Sequence, residues 1–169
     1  FIGGSPVVMA PWADSVPAVV CAWYPGQECG HALAEVLFGD VNPSGKMPVT
    51  FPKQLEDNPS AENYPGTDGV ENYAEGLLVG YRYYDTRNVE PQFPFGHGLS
   101  YTEFKYDHLK IDSVSRVVTF DVKNTGKRAG KEVAQLYIGD PTCSVERPVK
   151  ELKAFRKVEL LPGQQQTVR

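Results

Sequence analysis

Apolar positions along this chain change texture twice. The first fifty residues carry short apolar runs cut by Gly and Pro. Residues 16–23 (VPAVVCAW) are nearly all apolar and rich in Val, the composition of a strand buried on both faces. Pro25 and Gly26 break that run, and Gly30 to Phe38 reads as a short helix with Leu33, Val36 and Leu37 on one side. Glu28 stands near its N-terminus, where negative charge is favoured, and Gly39 follows its last turn, where a left-handed cap needs glycine. Asn42-Pro43-Ser44-Gly45 has the signature of a type I turn. Met47 to Phe51 resumes as a strand, short or at an edge because Pro48 lies inside it and Pro52 follows. Ahead of these, residues 1–11 read as a strand leading to a loop bounded by Pro6 and Pro11, and Trp12, Asp14 and Ser15 introduce the next strand.

The second texture has no period. Residues 53–72 (KQLEDNPSAENYPGTDGVEN) are polar and turn-rich, a loop long enough to be functional or mobile. Residues 73–104 mix aromatics with glycines and read as an extended crossing packed by Tyr81, Tyr83, Tyr84, Phe93, Phe95 and Tyr101. The third texture is regular alternation. It predicts strands from Phe104 through Ile111, at Val118–Val122, at Glu132–Ile138 with Ala134, Leu136 and Ile138 on one face, at Leu152–Leu161, and from Gln164 onward after Pro162-Gly163. Spacing and alternation argue for an antiparallel β-sandwich, although about five strands fit where such a sandwich has roughly seven. The fold class is α/β plus all-β. The first part resembles the tail of an α/β layer structure, where ligands gather at the carboxyl ends of strands and so near the Trp23–Gly30 turn.

Charge sharpens the division. Residues 1–104 hold four Lys and Arg against thirteen Asp and Glu, and residues 105–169 hold thirteen against eight, which sets a boundary near residue 105. The basic half is no nucleic-acid binder, because its lysines alternate with apolar residues as a solvated strand face does. No run of 18 apolar residues marks a membrane span. Cys21, Cys29 and Cys143 lack metal-ligand spacing; they read as free thiols, with a Cys21–Cys29 bridge across the Pro-Gly turn left open. No metal or cofactor is expected. The chain begins FIGGSPVV, without Met, and stops after a hairpin turn. It is expected to be truncated at both ends, or completed by another chain.

Five strings occur in one order: WYPGQECGHALAEVLFGDVNPSGKMPVTFP (23–52), AEGLLVGYRYYD (74–85), FPFGHGLSYTEF (93–104), VKNTGKRAGKEVAQLYI (122–138) and RPVKELKAFRKVELLPG (147–163). Together they resemble the C-terminal part of glycoside hydrolase family 3, the β-glucosidase and β-xylosidase family. The resemblance implies three segments. Residues 1–52 end an α/β-sandwich domain, 53–104 form the loop and interdomain crossing, and 105–169 form a fibronectin type III-like β-sandwich that is incomplete. It also implies a retaining mechanism with two carboxylates, an Asp nucleophile in an upstream TIM-like barrel and a Glu acid/base earlier in the α/β sandwich. No residue of this chain matches either, so no catalytic residue is assigned here. The partners implied are a β-linked gluco-oligosaccharide or aryl β-glucoside and the upstream domains. β-Xylosidase is the close alternative. A non-catalytic structural or carbohydrate-binding module is the alternative of another class.

Five residues could still border a substrate crevice or support one that does: Trp12, Glu28, Tyr73, Glu75 and Arg82. Each has a plainer role. Trp12 could stack on a sugar or fill a core. Glu28 could sit beside the crevice or simply complement the helix dipole. Glu75, beside Tyr73 and Gly76, could reach a sugar hydroxyl or hold Arg82 in a structural ion pair. His31, His97 and His108 are scattered and read as core or surface residues.

Overall fold

A computed structural model describes residues 1–169. Its elements run α1 (Ala10–Ala13), α2 (Cys29–Phe38), a 3-10 turn (Leu55–Asp57), α3 (Tyr81–Arg87), then β1 (Phe104–Asp112), β2 (Val117–Asn124), β3 (Gly130–Ile138), β4 (Glu151–Leu160) and β5 (Gln165–Val168). The chain divides into two compact units interleaved in sequence. The first holds Phe1–Gly26, Met47–His97 and Leu136–Lys153; the second holds Gln27–Lys46, Gly98–Gln135 and Ala154–Arg169.

In the first unit the core gathers on Phe51, fully buried, with Met9 and Ala13 beneath and Phe1, Val19, Trp23 and Phe93 around it. Phe51 stacks edge-on to Phe1 and Phe93 at 6.2 and 6.3 Å between ring centres. The strand expected at 16–23 does not form. It makes three bonds to the first residues: the Phe1 ammonium donates to Val20 O at 2.9 Å, Ala22 N to Phe1 O at 2.9 Å, and Gly3 N to Trp23 O at 3.2 Å. Trp23 takes a φ of 53°, which ends the extended run. Nor do residues 1–11 lead through a loop to a strand: α1 starts there, opened by Pro11 in its first turn, so Trp12 is helical. The strand expected at Met47 to Phe51 is reduced to a single bridge at Phe51, because the chain bends at Pro48 and Val49. The segment runs antiparallel to residues 93–97 through Met47 N to His97 O (2.7 Å), Gly96 N to Met47 O (2.7 Å) and Phe51 N to Phe93 O (2.8 Å).

Helix α3 was not foreseen in the extended crossing. Gly80 enters it at φ 57° and Asn88 closes it in the left-handed region. Its sequence YRYYDTR is aromatic and has no side-chain N-cap, so propensity does not build it. Packing does: Tyr84 is buried, Tyr81 stacks on Phe95 at 4.7 Å and meets Tyr137 edge-on at 5.8 Å, and the Tyr81 hydroxyl accepts from Leu152 N at 2.7 Å.

The second unit holds α2, which spans one residue more than expected and ends on Gly39 at φ 85°. None of its residues is buried, so the apolar side read at Leu33, Val36 and Leu37 is not a packed face here. Its C-terminus is tied down by polar contacts: Tyr101 Oη donates to Val36 O at 2.7 Å, and the Arg128 guanidinium donates to Gly39 O. The turn expected at Asn42–Gly45 is absent. The Asn42 side chain is committed elsewhere, accepting from Ser100 Oγ (3.0 Å) and Tyr101 N (2.8 Å) and donating to Ala129 O (3.0 Å). Gly45 lies so close to Gly98 that a Cβ on Gly98 would collide with the Gly45 carbonyl.

Five strands form two antiparallel sets, β1-β2-β5 and β3-β4. Phe120 pairs with Val168 and Val122 with Gln166, which sets Val122 and Val168 on the inner face with Val158 and Leu160 of β4. Strand β1 carries a bulge between Asp107 and Lys110, with His108 at φ 53°, and its outward residues are exposed. Ile138 of β3 is exposed as well, unlike Ala134, which is buried. All three cysteines are free, Cys21 packing against the Phe51 cluster.

Candidate functional site

The chemistry-bearing residues of the first unit converge on one polar pocket of about 320 Å³. Glu56, Asn58, Glu62 and Asn63 of the turn-rich loop, Glu75 of the following segment, Tyr83 and Arg87 of α3, and Glu146 of the β3–β4 connection line it. Each arrives for a local reason. The loop opens with Gln54 and Asp57 capping one another around the 3-10 turn, and Asn58 Oδ1 then accepts from Ser60 N (3.3 Å) and Ser60 Oγ (3.1 Å), leaving its amide nitrogen to donate. Leu78, buried, anchors the segment that carries Glu75. Tyr83 meets Tyr84 edge-on at 5.7 Å, which fixes its ring. Burial pushes the Tyr84 hydroxyl up to about 12, with Asp57 and Tyr83 adding to the shift, so it stays protonated. Arg87 Nη2 donates to Glu146 Oε1 at 3.2 Å.

Glu75 has the most unusual position. Its Oε2 is sealed from solvent and has no hydrogen-bond partner. The ion pair expected between Glu75 and Arg82 is not made. Arg82 turns instead toward Glu151, its Nε 3.8 Å from Oε1, with the guanidinium over the Tyr81 ring at 5.7 Å. Glu151 is the hub of that cluster, accepting from Arg147 at 2.7 Å and Lys153 at 3.2 Å, and Arg147 first and Lys153 second hold its carboxyl below the usual range.

Of the five candidates, then, Glu75 alone lines the pocket. Tyr73, two residues before it, is 76% exposed. Arg82 shares α3 with Tyr83 and Arg87 but serves Glu151, and Trp12 stands on α1, 42% exposed. Glu28 belongs to the second unit, where it faces His31 at 3.3 Å in an exposed i,i+3 pair. Asn58, Asn63, Arg87 and Glu146 were not singled out in the sequence, and Tyr83 was read only as packing. The length and polarity of the 53–72 loop were the only signal for the first two, and Glu146 lies 71 positions beyond Glu75 with no motif to join them. No group of three or more His, Cys, Asp or Glu is placed to hold a metal ion.

Comparison with known proteins covers the chain almost end to end. Residues 1–101 match the Glycosyl hydrolase family 3 C-terminal domain and residues 132–169 the Fibronectin type III-like domain. Thermostable beta-glucosidase B of Acetivibrio thermocellus is 56% identical over 99% of this chain and 23% of its own length. A beta-glucosidase of Rhizobium radiobacter is 52% identical over 95% of the chain and 20% of its own length. Among solved structures, a GH3 beta-glucosidase of Bifidobacterium adolescentis superposes with a TM-score of 0.94 at 42% identity, covering 99% of this chain and 25% of that one. The beta-glucosidase of Kluyveromyces marxianus in complex with glucose gives 0.91 at 45% identity, covering 99% and 20%. The chain thus spans about a quarter or less of the length of these relatives. With more than half its length matched by the family's C-terminal domain and a fibronectin type III-like segment following in order, the chain belongs to glycosyl hydrolase family 3.

Proposed function

We propose that this chain is the C-terminal portion of a β-glucosidase that removes terminal β-D-glucosyl residues with retention of configuration, and that it supplies scaffold rather than the catalytic pair. In this reading residues 1–52 end the α/β-sandwich domain, 53–104 form the crossing and 105–169 the fibronectin type III-like sandwich. The observation that carries it is the unbroken similarity, over 95–99% of the chain, to proteins named β-glucosidases. Those names do not favour a β-xylosidase.

The scaffold role has a physical basis inside the second unit. Lys46 Nζ, at the end of the helix-bearing segment, donates to Gly98 O at 2.8 Å and pairs with Glu132 of β3 at 3.1 Å. Both side chains are largely withdrawn from water, at 17% and 13% exposure, where an ion pair is screened little. Tyr106 Oη of β1 donates to the other Glu132 oxygen at 3.0 Å, and burial followed by the Glu132 charge pushes that phenol up. With the Asn42 contacts, these bonds lock the segment around residues 39–46 to the β strands. Retaining glycosidases hold their two carboxyls about 5–5.5 Å apart, so a scaffold of this kind acts by keeping elements from shifting.

The test compares the full-length enzyme with the isolated 169-residue chain on aryl β-glucoside and aryl β-xyloside. The full-length enzyme is expected to prefer the glucoside, and the isolated chain to turn over neither. Turnover by the isolated chain that falls on Glu75→Gln would overturn the assignment.

A further inference from the structure

Building on the reading of the chain as part of a β-glucosidase, we propose that the pocket beside Glu75 binds a sugar unit through its hydroxyl groups. Three observations lead there. Glu75 Oε2 is buried without a donor, and a buried acceptor left so is costly enough that a donor is expected to meet it. The space for one exists, since about 320 Å³ falls within the range of small-ligand clefts, roughly 300–1,000 Å³. The lining also has the right chemistry. Glu56, Glu62, Glu75 and Glu146 accept, the Asn58 amide nitrogen and Arg87 donate, and Asn63 and Tyr83 can do both. Hydroxyls donate and accept, so they match such a wall group for group.

The same lining disfavours other occupants. A metal ion needs three convergent ligands, which are absent. An apolar ligand would leave the carboxylates and amides unpaired. The pocket is also partly preformed, because Tyr83 is held against Tyr84 and α3 is fixed by the Tyr81–Phe95 stack. Glu75 is the residue that orients the sugar.

The experiment has two arms on the full-length enzyme. Crystals of the wild type are soaked with a thio-linked cellotriose, and sugar within hydrogen-bond distance of Glu75 Oε2 is expected. An empty pocket, or a lysine or arginine side chain of the same protein donating to that oxygen, overturns the proposal. In the second arm, kcat/KM is measured for cellotriose and for an aryl β-glucoside in wild type, Glu75→Ala and Asn63→Ala, with melting temperature as the check on folding. Loss of a hydrogen bond to a charged acceptor is expected to lower the cellotriose-to-aryl ratio by about tenfold in Glu75→Ala, and by less in Asn63→Ala. Sugar in the crystal with an unchanged ratio in both folded variants means binding at crystal concentration only and overturns it as well. Sugar at Glu75 in an enzyme that cleaves neither substrate sinks the β-glucosidase reading and leaves the pocket standing.

Discussion

Replacing Asn124 tests how the β-sandwich is held, because one side chain there completes four hydrogen bonds. Asn124 is fully buried at the end of β2. Its Oδ1 accepts from Thr102 Oγ1 at 2.8 Å and Gly126 N at 3.1 Å, and its Nδ2 donates to Arg128 O at 2.7 Å and Leu160 O at 2.9 Å. An amide can make four such bonds, and this one makes all four. Asn124→Ala strands the Thr102 hydroxyl and the Leu160 carbonyl in the interior, while water can reach Arg128 O and Gly126 N. At about 1–3 kcal/mol for each buried orphan, the loss is about 4 kcal/mol, a large share of a typical domain's 5–15 kcal/mol. Amide hydrogen exchange of β2 and β4 in the full-length enzyme reads this directly, and protection there should fall by about a thousandfold. Asn124→Asp adds a sign. Its second oxygen would face the Arg128 and Leu160 carbonyls, so burial and repulsion raise its folded pKa above the ordinary value of about 3.9. A raised carboxyl costs nothing below the unfolded pKa, and the penalty grows as pH rises toward the folded one. The Asp variant should therefore match wild type more closely at pH 4 than at pH 7. A fall of less than tenfold for Ala, together with a pH-independent Asp variant, would refute the reasoning.

Two further outcomes follow from the ion pairs. Glu132→Gln should cost about 1–2 kcal/mol, because it leaves the largely buried Lys46 side chain without its charge partner, and Lys46→Met on top of it should cost little more; additive losses in chemical denaturation would show the pair to be uncoupled. Glu151, held below its usual range by Arg147 and then Lys153, lends stability that is present above its unfolded pKa and lost as pH falls through the folded one. Melting temperature should therefore drop more steeply on acidification in wild type than in Glu151→Gln, and parallel curves would contradict that.

Local backbone chemistry was the most legible part of the sequence. Gly39 and Gly163 were read as positions after a helix and in a hairpin turn, and both take φ near 80°. The five β strands were visible because alternation with a period of two depends only on which face is buried. Where long-range partners decide the structure, the reading failed. Residues 16–23 have a strand's composition, yet only a few rungs to the first residues and a Trp23 at φ 53° keep them from becoming one. Helix α3 goes the other way, built by tertiary aromatic packing from residues with no helical signal. Asn42 looked like a turn residue, but its amide spans to Tyr101 and Ala129. Within the candidate site, Glu75 stood out as an acid in an aromatic, Gly-rich crossing, where it could meet a sugar hydroxyl or an ion-pair partner. Its isolation was not readable, since it depends on Arg82 choosing Glu151, 69 positions further on.

The central claim, that this chain completes a retaining β-glucosidase whose two carboxylates lie elsewhere in the protein, is tested most directly by the first sugar released. The full-length enzyme is mixed with an aryl β-glucoside, and anomeric protons are followed by proton NMR before mutarotation proceeds. β-Glucose should appear first, and its α form only later. α-Glucose as the first product would contradict the account.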